Sequence, residues 1–154
     1  MDHVCKLLLV DDDKEFLEIV LRRFARCGVL AAGATNPEAA LDAADRQEFH
    51  VAVLDRSLPG LDGIELMVRL HDRRPELQVI LLSGHGDEQA IALARDCGAF
   101  DYLVKPCSLS DLETAVSAAY RSANQSPRQS PALSGVTDVR GRAAVAAPAP
   151  PPEF

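Results

Sequence analysis

The chain has 154 residues, of which 47% are hydrophobic and 25% charged, and its formal net charge is −7 at neutral pH. These values are typical of one globular domain with an additional segment, and they exclude a fibrous protein. The acidic balance argues against direct nucleic-acid binding, which requires a basic surface. No apolar run approaches the roughly 20 residues needed to cross a bilayer, and no signal-peptide pattern is present. We therefore expect a cytoplasmic protein with neither nucleic acid nor membrane among its direct partners.

Apolar residues divide most of the chain into alternating strands and helices. We predict strands over residues 5–10, 29–34, 50–54, 77–82 and 99–104. Helical spacing predicts a helix after each strand, with Gly28 ending the first helix and Asn36-Pro37 beginning the second. The other boundaries are a helix start at Asp62-Gly63, a helix over about 87–97, and a capping box of Ser108 and Asp111. Residues 58–60, Leu-Pro-Gly, are predicted to form a loop.

This alternation predicts βαβ units and a single parallel sheet. The central strands are apolar throughout, as in sheets covered on both faces. Right-handed crossovers and the Ala- and Gly-diluted second strand favour the order 2-1-3-4-5 with five flanking helices, a doubly wound, flavodoxin-like α/β fold. We assign this domain to residues 1–121. The Pro-, Ala- and Ser-rich residues 122–154 are interpreted as a disordered tail or linker.

Polar residues follow four of the predicted strands. Asp11 and Asp12 follow the first, Asp55 the third, Ser83 the fourth and Lys105 the fifth. In open α/β sheets, ligands bind at the edge where the carboxyl ends of parallel strands meet. Three carboxylates there suit a hard divalent cation, and an ammonium and a hydroxyl suit a phosphoryl group.

Each of these residues also has a simpler interpretation. Asp12 or Asp13 could cap the first helix, and Asp13 is the stronger candidate. Ser83 could cap the helix that follows it, Asp55 could be a turn residue, and Lys105 could be a solvated lysine. The combination of all these residue types at one edge favours the functional interpretation.

Four motifs together resemble the receiver domain of two-component response regulators. They are Leu-Leu-Val-Asp-Asp-Asp at 8–13, Asp-x-x-Leu-Pro-Gly-x-Asp-Gly at 55–63, Ser-Gly at 83–84, and Gly-Ala-x-Asp-Tyr-Leu-x-Lys-Pro at 98–106. The resemblance extends from about residue 5 to 121. It implies a chemotaxis-regulator-like fold and a part in a phosphorelay.

The resemblance also implies a role for each residue. Asp55 is the expected phosphoacceptor, taking a phosphoryl group from a sensor histidine kinase or a histidine phosphotransferase. Mg²⁺ is the expected cofactor, bound by Asp11, Asp12, Asp55 and the backbone carbonyl of Ser57. Lys105, on an expected cis Lys-Pro bond, and Ser83 are expected to contact the phosphoryl group.

A switch is implied as well. Ser83 moves toward the phosphoryl group and Tyr102 rotates inward, while Ser57 and His85 occupy positions that tune the phosphate lifetime. Ile91 lies off the Ala90-Leu93-Ala94-Cys97 stripe of the fourth helix and is a candidate contact on the output face. Ile19 is a candidate kinase contact.

The expected downstream partner is another protein or an effector domain that is missing from this chain. We expect that the protein is not an enzyme, although it promotes its own phosphorylation and dephosphorylation. Two alternatives remain open: a receiver-like scaffold that acts without phosphorylation, and an aspartyl-phosphate phosphatase. The phosphatase would need a second aspartate two residues after the nucleophile, where this chain has Ser57.

Overall fold

A five-stranded parallel sheet forms the centre of the domain in a computed structural model that describes residues 4–84 and 86–125. Its strands are β1 (Lys6–Val10), β2 (Leu30–Ala34), β3 (Val51–Asp55), β6 (Gln78–Ser83) and β7 (Asp101–Val104), in the order β2-β1-β3-β6-β7. The intervening β4 (Ser57–Leu58) and β5 (Leu61–Asp62) form a separate antiparallel hairpin. When the five sheet strands alone are numbered, their order is 2-1-3-4-5, which confirms the prediction.

Five helices cover the two faces of the sheet. They are α1 (Lys14–Arg26), α2 (Pro37–Arg46), α3 (Gly63–Arg73), α4 (Glu88–Asp96) and α5 (Leu109–Gln125). Side chains alternate along each strand, so Leu7 and Leu9 of β1 pack with α1 and α5, whereas Leu8 and Val10 pack with α2, α3 and α4. The apolar strands of the sequence therefore supply two cores, one on each face.

Helix capping agrees with the sequence signals. The side chains of Asp13 and Asn36 accept hydrogen bonds from backbone N–H groups of α1 and α2, at 3.1 and 2.8 Å. Ser108 accepts a hydrogen bond from the N–H of Asp111 at 2.9 Å, as predicted for the start of α5. Asp13 is thus a helix cap, and the neighbouring Asp11 and Asp12 are left for the site.

The segment after β3 differs from the prediction. Residues 58–60 belong to the β4–β5 hairpin, in which Gly60 adopts a positive φ of 81°. The hairpin returns the chain to α3, where a Cβ atom on Gly63 would lie 2.6 Å from the backbone oxygen of Asp55. Only glycine allows α3 to begin this close to the end of β3. Strands of two residues have no readable alternation, which is why sequence patterning missed them.

Two predictions concern residues beyond the described ranges. The predicted domain boundary at residue 121 lies within α5, and most of the predicted tail, residues 126–154, lies outside the described residues, so the domain division stays a prediction. His85 also lies outside the described residues. Within residues 4–84 and 86–125, no helix is long and apolar enough to cross a membrane.

Candidate functional site

Three carboxylates meet at the carboxyl edge of the sheet. Asp55 is the last residue of β3, and Asp11 and Asp12 directly follow the neighbouring β1. One carboxylate oxygen from each residue lies within 4.8 Å of the others. Asp11 and Asp55 are buried, with relative exposures of 2% and 6%, while Asp12 is exposed. The distant aspartates that the sequence placed at this edge therefore form one acidic pocket.

Backbone hydrogen bonds orient the two buried carboxylates. Oδ1 of Asp11 accepts the N–H of Asp13 at 2.9 Å, and Oδ1 of Asp55 accepts the N–H of Ser57 at 3.1 Å. These bonds occupy one oxygen of each carboxylate. The other oxygen, Oδ2 in both residues, is the one near Lys105.

Lys105 directly follows the edge strand β7 and extends its ammonium into the pocket. Its Nζ lies 3.1 Å from Oδ2 of Asp11 and 3.6 Å from Oδ2 of Asp55. The backbone N–H of Lys105 donates to the carbonyl of Ser83 at 2.7 Å, and the Lys105-Pro106 bond is cis, as the resemblance implied. Lys105 is therefore not a freely solvated lysine, since it neutralises part of the charge on two buried carboxylates.

Charge and burial shift the pKa values of two groups in the pocket. Burial raises the pKa of Asp55; the Ser57 N–H and Lys105 oppose the rise, and the charges of Asp11 and Asp12 add to it. Burial lowers the pKa of Lys105, but the hydrogen bond and charge of Asp11, together with Asp55, outweigh it and the net pKa is raised. Lys105 thus stays charged at neutral pH, whereas ionisation of Asp55 costs more free energy in the folded domain than in water.

This penalty predicts that Asp55→Asn stabilises the metal-free domain at neutral pH. The folded-state pKa of Asp55 exceeds its ordinary value of 3.8, so its contribution to stability falls as pH rises from that value through the raised one. In EDTA, the urea midpoint of Asp55→Asn should therefore exceed that of the unchanged chain at neutral pH, and the difference should shrink in acid. A lower midpoint for Asp55→Asn at neutral pH would contradict the assigned sign.

Ser83 lies on β6, the strand next to β3, and Tyr102 lies on the edge strand β7 beyond it. Ser83 ends β6 and is 2% exposed, one position beyond the residue paired with Asp55. Tyr102, on β7, is 7% exposed, and its hydroxyl accepts a hydrogen bond from Nη1 of Arg56 at 3.3 Å. Sequence reasoning did not single out Arg56. Its only signal was a charged residue directly after a strand-end aspartate.

The candidate residues outside the pocket differ in how exposed their side chains are. Ser57 is exposed at the start of the hairpin, and Ile19 is 54% exposed on α1. On α4, Leu93 of the predicted stripe is 49% exposed, whereas half-buried Ile91 packs against the core, and its role as an output contact stays a prediction. In the nine-residue α4, Ala90 and Ala94 face the core as predicted and Cys97 packs against it, so Leu93 is the member of the predicted stripe that lies outside the core.

Comparison with known proteins decides the family. The sequence profile described as the response regulator receiver domain matches residues 7–117. The chain belongs to the response regulator receiver family. It is therefore a domain of two-component signal transduction, and receiver domains bind Mg²⁺ at an acidic pocket and are not enzymes in the usual sense.

Individual relatives agree with this assignment. The DNA-binding transcriptional regulator NtrC of Klebsiella pneumoniae is 31% identical over 137 residues, covering 88% of this chain and 29% of the relative. The transcriptional activator PfeR of Pseudomonas aeruginosa is 38% identical over 116 residues, covering 75% and 38%. The solved receiver domain of the Francisella response regulator 1452 has 30% identity and a TM-score of 0.72, covering 76% and 97%. The chain thus spans well under half the length of these curated relatives but nearly all of a solved receiver domain.

Proposed function

We propose that this receiver domain accepts a phosphoryl group on Asp55 with the help of Mg²⁺ and thereby changes a partner-binding surface. The observation that carries the proposal is the convergence of Asp11, Asp12 and Asp55 within 4.8 Å, with the Lys105 ammonium 3.6 Å from Asp55. A carboxylate is an effective nucleophile toward phosphorus when neighbouring cations neutralise the charge that accumulates during transfer.

The chain's own residues account for most of the transfer. Oδ2 of Asp55 forms a bond to the phosphorus of a phosphohistidine while the bond from phosphorus to the imidazole nitrogen breaks. Lys105 lies beside that oxygen and stabilises the negative charge that develops on the phosphoryl oxygens. The N–H of Ser57, bound to Oδ1, keeps the carboxylate oriented during the attack. Ser83 is proposed to donate its hydroxyl to a phosphoryl oxygen.

The acidic pocket suits Mg²⁺. Mg²⁺ prefers hard oxygen ligands, which the three carboxylates supply. Its positive charge would offset the repulsion among the carboxylates crowded around buried Asp55. Asp11, Asp12, Asp55 and the carbonyl of Ser57 would hold it, and when bound it would neutralise and orient the phosphoryl oxygens. Ser57 and His85 are proposed to set how long the phosphoryl group survives.

The proposed partners follow from the family. A cytoplasmic histidine kinase or phosphotransferase supplies the phosphoryl group, and Ile19 on α1 is a candidate contact for it. The surface around Tyr102 and α4 then contacts a downstream protein or an effector domain. Relatives such as NtrC are DNA-binding regulators, but the acidic composition of this chain favours a protein partner over direct contact with nucleic acid.

One experiment separates this function from the two alternatives. After incubation with acetyl phosphate and Mg²⁺, intact mass should show one added phosphoryl group, which EDTA prevents and hydroxylamine removes because the product is an acyl phosphate. A chain that gains no phosphoryl group would favour the scaffold. Steady release of phosphate from small phosphomonoesters would favour the phosphatase.

A further inference from the structure

Arg56 contacts β6 and β7, which carry the switch residues Ser83 and Tyr102, and also the start of α3. It directly follows Asp55, and its backbone is fixed on both sides: its N–H donates to the carbonyl of Leu82 at 2.8 Å, and its carbonyl accepts the N–H of Gly63 at 2.8 Å. The side chain therefore extends from a rigid base between the end of β6 and the start of α3. Its relative exposure is 23%, so most of it is packed against the protein.

The guanidinium of Arg56 contacts two polar groups. Nη1 donates to the Tyr102 hydroxyl at 3.3 Å, and Nε lies 3.6 Å from Oδ1 of Asp62. Asp62 is itself held by the N–H of Ile64 at 2.8 Å, as the N-cap of α3. The planar guanidinium offers several donors at once, so one side chain can bind the hairpin and the tyrosine together.

We propose that Arg56 is a positioning residue that holds Tyr102 in its buried orientation in the unphosphorylated protein. A tyrosine that is 7% exposed needs a polar partner for its hydroxyl, and a charged donor anchored on Asp62 provides one. The hydrogen bond spans 46 positions of sequence, and together with the contact to Asp62 it joins the β4–β5 hairpin to the edge strand β7.

The consequence rests on the proposed function. If the inward orientation of Tyr102 belongs to the partner-binding state, Arg56 raises the population of that state in the unphosphorylated protein. Phosphorylation then has to contribute a smaller free-energy difference to populate that state. Removing Arg56 should then make the orientation of Tyr102 depend more strongly on phosphorylation. The net stabilisation from a hydrogen bond to a charged group is large enough to change this population ratio by roughly tenfold.

Fluorescence can report on Tyr102 alone. The chain has two tyrosines and no tryptophan, so the Tyr120→Phe background leaves Tyr102 as the only strong fluorophore. In that background, Arg56→Met should raise the acrylamide quenching constant at least about twofold, because the stem remains and only the donor is lost. Arg56→Lys should restore part of the protection. Arg69→Met, which removes an arginine paired with Glu65 on the surface of α3, should leave quenching unchanged.

Two further measurements keep the outcomes distinct. If Arg56→Met does not fold, Asp62→Asn tests the same link and should raise quenching by a smaller amount. A quenching constant unchanged in both folded variants would overturn the inference.

Intact mass after acetyl phosphate treatment tests the proposed function separately. Failure to gain a phosphoryl group refutes the proposed function. A protein that is phosphorylated, but in which Arg56→Met leaves the quenching constant unchanged, refutes only the role of Arg56. In phosphorylated Arg56→Met, quenching should fall back toward that of the Tyr120→Phe parent.

Discussion

Asp55→Asn should gain no phosphoryl group from acetyl phosphate and Mg²⁺ under conditions in which the unchanged chain gains one. The amide has nearly the same shape as the carboxylate but lacks the anionic oxygen that attacks phosphorus. Asp11 and Asp12 remain in the variant, so cation binding alone does not restore the reaction. Intact mass over time measures the loss directly.

The matched control is Asp72→Asn, an exposed position on α3 away from the pocket. Its rate of phosphorylation should equal that of the unchanged chain. Phosphorylation of Asp55→Asn at the rate of this control would mean that another residue is the acceptor, and the proposed role of Asp55 would be wrong.

Lys105→Met should slow phosphorylation by about two orders of magnitude, the usual effect of removing one preorganised group that stabilises a developing anion. The methionine side chain keeps much of the lysine stem but has no charge. Without the ammonium, Asp11 and Asp55 also lose the cation 3.1 and 3.6 Å from their Oδ2 atoms. The metal-free domain should therefore be less stable by about 1–2 kcal/mol, a value below that of a fully buried pair because a third of the lysine is exposed.

A double variant separates these two effects. Adding Asp55→Asn to Lys105→Met removes one of the uncompensated carboxylates, so the urea midpoint in EDTA should recover part of the loss. Lys14→Met, which changes an exposed lysine at the start of α1, is the control for charge alone. A Lys105→Met protein that is phosphorylated as fast as the Lys14→Met control would exclude Lys105 from the transfer.

The parts of this domain that can be predicted from sequence are those in which a functional residue directly follows or ends a regular strand. Residues 51–55 form a strand buried throughout, and one aspartate ends it, so the strand pattern alone places Asp55 at the sheet edge. The same logic places Asp11 after β1 and Lys105 after β7. Parallel pairing of adjacent strands then brings these residues together with no detailed knowledge of side-chain positions.

What the sequence did not predict depends on contacts between elements. Arg56 reaches Tyr102 on another strand and Asp62 in a hairpin of two-residue strands, and no periodic pattern records either contact. On α4, nine residues are too few to fix the helical phase from apolar spacing, and Leu93, expected in the buried stripe, is exposed while Ile91 packs against the core. Alanine contributes little to this phase, because it is compatible with either face.

The residue that carries the phosphoryl group can be located directly. Hydroxylamine converts an aspartyl phosphate into a hydroxamate, and tandem mass spectrometry of the digested chain then identifies the modified side chain. We predict modification of Asp55 alone, and only in chains treated with both acetyl phosphate and Mg²⁺. Modification of a different aspartate, such as Asp62 or Asp101, with Asp55 unmodified would contradict it.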